Sequence, residues 1–376
     1  MRLLGVLIDI HPKPAITPSS CRRTDSPSTE ISIQCPYTSR ARFDACSQAD
    51  GARFDKREVL SWTDTAAFPL LPSEGSAAVF AQIRKAPRLD LNRPGEWRAR
   101  PYAELHATND KKQNGGVIDV TSATRPKGHW PVFKGESFDL WEPDTGTYYG
   151  WANPKAALPE LEQRRQSGRG RETSPFSEFA RNDPRMAGGQ KSLPCQKPRI
   201  AFRDVTRATD TRTVRAALLP GRAFLTNKAP YLLWPRGDER DQAYLLGVLA
   251  SRPLDWYATC FVEINLNYHI FNPLPVPRPP RTSPFWQRAV ALSGRLACPD
   301  ERFAEFAEAV GVECGPLDPA EKQDMIHELD AVVAHLYGLD AAQLRHVFET
   351  FHEGWDFEDD LRATLLHFEK WKGRLT

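Results

Sequence analysis

The stretch richest in donor chemistry runs from Arg199 to Arg215, Arg-Ile-Ala-Phe-Arg-Asp-Val-Thr-Arg-Ala-Thr-Asp-Thr-Arg-Thr-Val-Arg. Apolar positions are interleaved with Arg and Thr, which donate to phosphate oxygens and to base edges. The same residues suit a solvated strand and turn whose arginines pair with Asp204 and Asp210, and the sequence favours neither alternative. Strand alternation places Arg203 on the face opposite Phe202, so Arg203 is expected to be exposed. Arg212 and Arg215, beyond the turn, are then expected to be phosphate anchors. A second polar row is Asn265 and Asn267, which alternate with Ile264, Leu266, Tyr268 and Ile270. That spacing predicts a strand with one amide-rich face, and Asn pairs bidentately with adenine. Amides of a loop or edge strand equally satisfy their own backbone.

Other chemistries find little support. A methyltransferase using S-adenosylmethionine needs a Gly-rich turn after a strand. An adenine-specific one also needs an Asn/Asp-Pro-Pro-aromatic tetrapeptide to hold the flipped base. Asn272-Pro273-Leu274-Pro275 lacks the second consecutive Pro and the aromatic, and Gly115-Gly116 and Gly188-Gly189 precede no nucleotide-binding helix. Pro143-Asp144 is followed by no acid-x-Lys pair of the nuclease kind, and no Gly-x-Ser-x-Gly elbow occurs. The seven cysteines are scattered and include no Cys-x-x-Cys pair, which excludes a zinc ribbon or a dithiol redox motif. His327, His335, His346 and His352 fall on helices whose apolar stripes explain them without a metal. No catalytic, cofactor-binding or metal-binding residue is therefore assigned.

The elements that must position the polar residues can be read from punctuation. A chain of 376 residues holds two or three compact domains, and its 32 prolines imply many turns and irregular connections. A net charge of +2 does not by itself betray a nucleic-acid partner, so any basic surface must be local. Leu3 to Ile8 is apolar, but Asp9 ends the run, and nothing approaches the roughly 20 apolar residues of a membrane span. The expectation is a cytoplasmic protein. Residues 1–60 show no sustained apolar period and read as a disordered or degraded leader. From Phe68, short runs predict strands at 131–133, 147–151, 199–202, 223–226 and 231–234. The basic stretch 162–171 reads as a mobile loop. Helices are expected from Gln242 to Ser251 and from Pro253 onward. Asp318-Pro319-Ala320-Glu321 and Asp340-Ala341-Ala342-Gln343 each open a further helix, the first closing at Gly338.

Several segments in this order resemble the C-terminal specificity region of adenine-specific DNA methyltransferases. Similar enzymes include fused restriction-modification and phage-exclusion types with a TaqI-like recognition domain. The segments are 132–138, 203–206 with 210–213, 227–231, 244–251, 265–268 running into 273–277, and 328–339, so the resemblance covers about Phe68 to Phe351. It implies sequence-specific binding of double-stranded DNA in restriction-modification or phage defence. The fold expected is α+β, with an irregular, mostly-β recognition domain containing inserted helices at 61–280 and a helical scaffold at 281–376. Lys134, Arg203, Thr206, Arg207, Arg212, Arg215, Asn227, Lys228, Asn265 and Asn267 are the DNA-binding candidates. S-adenosylmethionine is expected in a catalytic domain outside these residues. A gene fragment, a truncated reading frame and a separate specificity subunit with a methyltransferase partner all fit. The alternatives are an intact methyltransferase with a cryptic site and a non-functional fragment.

Overall fold

In the computed structural model the described residues are 30–33, 52–62, 67–71, 75–206, 210–262, 264–351 and 354–373. They form an α+β fold built on two four-stranded sheets. A short antiparallel pair, β1 (Glu30–Ile33) and β2 (Ala52–Asp55), leads into α1 (Lys56–Trp62). Helix α2 (Ser76–Arg84) and strand β3 (Arg98–Tyr102) follow. Then come β4 (Ile118–Asp119), β5 (Trp130–Phe133), β6 (Gly150–Ala152) and helix α3 (Pro154–Arg169). Strands β7 (Arg199–Phe202), β8 (Ala216–Leu219), β9 (Phe224–Leu225) and β10 (Tyr231–Arg236) complete both sheets.

The first sheet, ordered β3-β10-β7-β8, is antiparallel and buried on both faces. Period-two alternation sends Ile200, Phe202, Ala216, Leu218, Leu232 and Trp234 into the helical core. Ala201, Ala217, Leu219, Tyr231 and Leu233 enter a second cluster with Phe133 and Phe138. Burial on both sides explains why β8 reads Ala-Ala-Leu-Leu with no polar residue. The second sheet, ordered β4-β6-β5-β9, is antiparallel except for the parallel pair of β5 with β9.

The remaining helices are α4 (Glu239–Ala250), α5 (Arg252–Thr259), α6 (Tyr268–Phe271), α7 (Pro284–Ala297) and α8 (Ala304–Val310). They are followed by α9 (Pro319–Leu336), α10 (Ala341–Glu349) and α11 (Glu358–Lys372). Their ends follow local chemistry. Asp318 accepts from the amides of Ala320 and Glu321, and Pro319 stands at the first helical position. Gly338 supplies the positive φ (67°) that ends α9, and Asp340 with Gln343 closes a reciprocal capping box.

Three expectations are corrected. The stretch 162–171 is no loop through Arg169: it belongs to α3, because Arg165 is buried and bonds to Glu162, to Ser192 Oγ and to the Gly189 carbonyl. The alternation from Ile264 to Ile270 is not a strand. Leu266 is buried but Ile264 is exposed, and Asn267 caps α6, its side chain accepting from Ile270 N at 3.2 Å. Much of the expected leader lies outside the described residues, but 52–62 belong to the fold. Phe54, Val59 and Trp62 are buried, and Trp62 meets Phe54 and Phe80 edge-on at centroid distances of 4.8 and 5.0 Å. The main core also runs continuously from Phe54 to Trp371, across residue 280. Among the described residues no helix is long and apolar enough to cross a membrane.

Candidate nucleic-acid interface

Segments far apart in sequence meet at the end of β7. The amide of Arg203 bonds to Arg215 O, that of Asp204 to Lys228 O, and that of Leu266 to Asp204 O. Thr206 N donates to Ile264 O at 3.0 Å, and Val205 bridges to Asn265. Gly135 packs against the Lys228 carbonyl and the Arg203 side chain. Residues 134–139, 203–206, 210–215, 226–230 and 264–267 therefore come together at one place, held mainly by backbone hydrogen bonds.

The described arginines of this surface, Arg203, Arg212 and Arg215, are committed within the protein. Arg203 is not exposed as alternation suggested: its side chain keeps 17% of its area and lies 3.2 Å from Asp139. It also donates to the Phe138 carbonyl and stacks near that ring. The face opposite Phe202 is thus covered by residues 138–139, and burial pulls the guanidinium below its ordinary pKa against the attraction of Asp139. Arg215 pairs with the same Asp139 and donates to Arg212 O. Arg212 pairs with the fully buried Asp255 and donates to the Ala250 carbonyl. Asp255 further accepts from Thr213 N (3.0 Å) and Val214 N (2.6 Å), so one carboxylate fixes residues 212–214. Thr206 is buried, and Arg207 lies outside the described residues.

The exposed candidates are fewer. Lys228 pairs with Asp204 at 2.8 Å yet keeps 46% of its side chain in solvent, and Lys134 pairs with Glu136 at 2.5 Å with 31% exposed. The hydrogen bond from Lys134 holds Glu136 below the usual carboxylate range. Asn227 accepts from Ala107 N at 2.9 Å and ties this surface to the loop after β3. Asn265 and Asn267 are exposed, and next to them stand the exposed apolar side chains of Val205 (47%) and Ile264 (62%).

The glycine turns and the Asn-Pro segment do not fit S-adenosylmethionine. Gly115 and Gly116 close a turn onto Lys112 and Lys111 and lead to the two-residue strand β4. Gly188 and Gly189 link single-turn helices. Leu274 is buried and Pro275 bridges to Arg88, so 272–275 is a packing segment. Among the described residues no three His, Cys, Asp or Glu side chains are grouped as metal ligands.

Residue-type patterns missed a second set of cations, Lys111, Lys112, Arg125, Lys127 and Lys155. Their signal was a lack of acids: from 111 to 135 the sole acidic residue is Asp119.

No family model matches the chain, and no curated protein sequence matches it. Among solved structures it is similar to the Type IIL restriction-modification enzyme MmeI, determined in complex with DNA, at 12% identity and a TM-score of 0.35. The alignment takes in 71% of this chain and 36% of that one, so the chain spans about a third of that enzyme's length.

Proposed function

We propose that this chain is a sequence-specific duplex-DNA recognition module serving site-specific adenine methylation in restriction-modification or phage defence. The observation that carries the proposal is the convergence at the end of β7. Four of the segments that resemble the specificity region of such methyltransferases, 132–138, 203–206 with 210–213, 227–231 and 265–268, are distant in sequence, yet meet at one surface bearing exposed amides and ammonium groups. In this proposal Asn265 and Asn267 contact base edges and Lys134 and Lys228 contact phosphates. Asn227 and Thr206 hold neighbouring backbone, and Arg203, Arg212 and Arg215 shape the surface from beneath. Methyl transfer and S-adenosylmethionine are assigned to a separate catalytic unit, because the glycine turns and the Asn-Pro segment are committed to turns and packing.

Selection from a random duplex pool tests this. The purified chain should enrich a defined short motif at 0.15 M salt, since specific complexes exceed non-specific ones by about 10³-fold or more. A pool still random after repeated rounds, with a cooperatively folded protein, overturns the proposal. DNA-dependent methyl transfer by the purified chain would overturn the assignment of catalysis to another unit.

A further inference from the structure

Some cations at the surface of a folded protein are held by its own carboxylates, and others have none within reach. The arginines at the end of β7 belong to the first group. At the other end of β5 the second group is gathered by the sheet itself. Lys111 bridges to Ile118, Ile118 pairs with Ala152, and Ala152 pairs with Trp130, so these four residues form one row across the strands. Lys112 adjoins one end of the row. Lys155 lies three residues beyond Ala152 in the first turn of α3, and the loop 120–129 returns to the row at Trp130.

That loop is anchored at its base. Asp119 accepts from the amides and hydroxyls of both Thr121 and Ser122, and these bonds hold its carboxyl far below the usual range. The Trp151 indole donates to Ser122 O at 3.0 Å as the loop crosses β6. Arg125 Nε donates to the His129 carbonyl at 2.6 Å, which fixes the stem of the side chain. Its terminal guanidinium nitrogens, and the ammonium groups of Lys112, Lys127 and Lys155, have no carboxylate partner among the described residues, and Lys111 only lies 5.7 Å over the Tyr149 ring. Lys112, Arg125, Lys127 and Lys155 are exposed.

We infer that this row is a second DNA contact, a sequence-independent clamp on the phosphate backbone of the duplex whose bases the end of β7 reads. It rests on the proposed function. The occupant follows from charge: five cations with no carboxylate partner among the described residues, on a chain of nearly neutral net charge, call for a dense polyanion. The spacing suits one duplex. From His129 to Lys134 the chain advances five residues along β5, about 16 Å at 3.3 Å each, or about five base-pair steps of 3.4 Å.

The test compares the full chain with an Arg125→Ala/Lys127→Ala variant, measuring duplex affinity between 0.05 and roughly 0.3 M salt. Loss of two phosphate contacts lowers the slope of log K against log salt by about 1.8, which at 0.1 M is about a 60-fold loss when the 1 M intercept is kept. The loss should be equal on preferred and random duplexes, with an unchanged thermal melt. Lys370→Ala, a net-charge control on α11, should leave the slope at the parental value. A parent that binds its preferred duplex while the double variant keeps the same slope overturns the clamp and leaves the reading of bases at β7 standing. An equal loss in Lys370→Ala also overturns it. A folded parent with no duplex affinity at low salt overturns both.

Discussion

Replacing Arg212 by Ala separates a structural arginine from a phosphate anchor. Arg212 keeps 13% of its side-chain area and Asp255 none, so the variant leaves a buried carboxylate without its counter-ion. Breaking a buried pair from one side costs about 3–5 kcal/mol. A solvated phosphate anchor, lost in the absence of DNA, changes stability by no more than about 0.5 kcal/mol. The two roles differ by several kcal/mol in a protein whose whole stability is on the order of 5–15 kcal/mol. Urea denaturation followed by tryptophan fluorescence should show the midpoint falling by about a fifth or more at constant m-value. Arg212→Met combined with Asp255→Asn removes both charges and should recover about 1–3 kcal/mol of the single-variant loss. The side-chain amide introduced in that double variant still offers an oxygen to the backbone N–H groups of Thr213 and Val214, so the turn keeps its template. An Arg212→Ala protein as stable as the parent refutes the assignment.

Trp62→Ala should cost about 3–5 kcal/mol, as expected for a fully buried ring packed on Phe54 and Phe80, and a parental melt would return 52–62 to the leader. Asn267→Ala should cost about 1 kcal/mol through loss of its cap on α6, whereas Asn265→Ala should leave the melt alone and cost about 1–3 kcal/mol only on the preferred duplex. Asp360 is held below the usual carboxylate range by its bond to His327, with Arg252 adding to the shift. A depressed carboxyl contributes stability that is complete above its unfolded pKa of about 3.9 and is lost as pH falls through the folded value. Stability of Asp360→Asn should therefore fall less steeply than the parent's below about pH 4, and parallel curves would contradict the pairing. His335 is shifted the other way for a base: burial, with its ring stacked on Phe368 at 3.8 Å, lowers its pKa. The folded state resists protonation, so stability should drop as pH falls below about 6.5, and His335→Gln should flatten that drop.

How far these features were legible depended on how local their causes are. The starts of α9 and α10 were readable because Asp318 and Asp340 bond to amides two or three residues away. The strands at 131–133, 199–202 and 231–234 were readable because apolar runs between turns leave few other forms. The fate of the arginines was not readable. Arg212 finds Asp255 at a separation of 43 residues and Arg215 finds Asp139 at 76, and no local pattern distinguishes such a pair from a free cation. Arg165 was misplaced for the same reason, since its partners Gly189 and Ser192 reach it through the packing of the segment after α3. The alternation of Ile264 to Ile270 misled because a two-residue period and a capped helical turn share the same few positions, and the Asn267 cap decides between them.

The central claim is that this surface reads base sequence. Its most direct test is the ratio of affinities of the purified chain for an enriched duplex and for the same duplex with one base pair changed, at fixed salt. A recognition module predicts a ratio of about 5 to 200 at a read position, from about 1–3 kcal/mol per mismatch, and a ratio near one at that position in Asn265→Ala. Equal affinity for both duplexes at every position, in a protein that binds DNA, would contradict it.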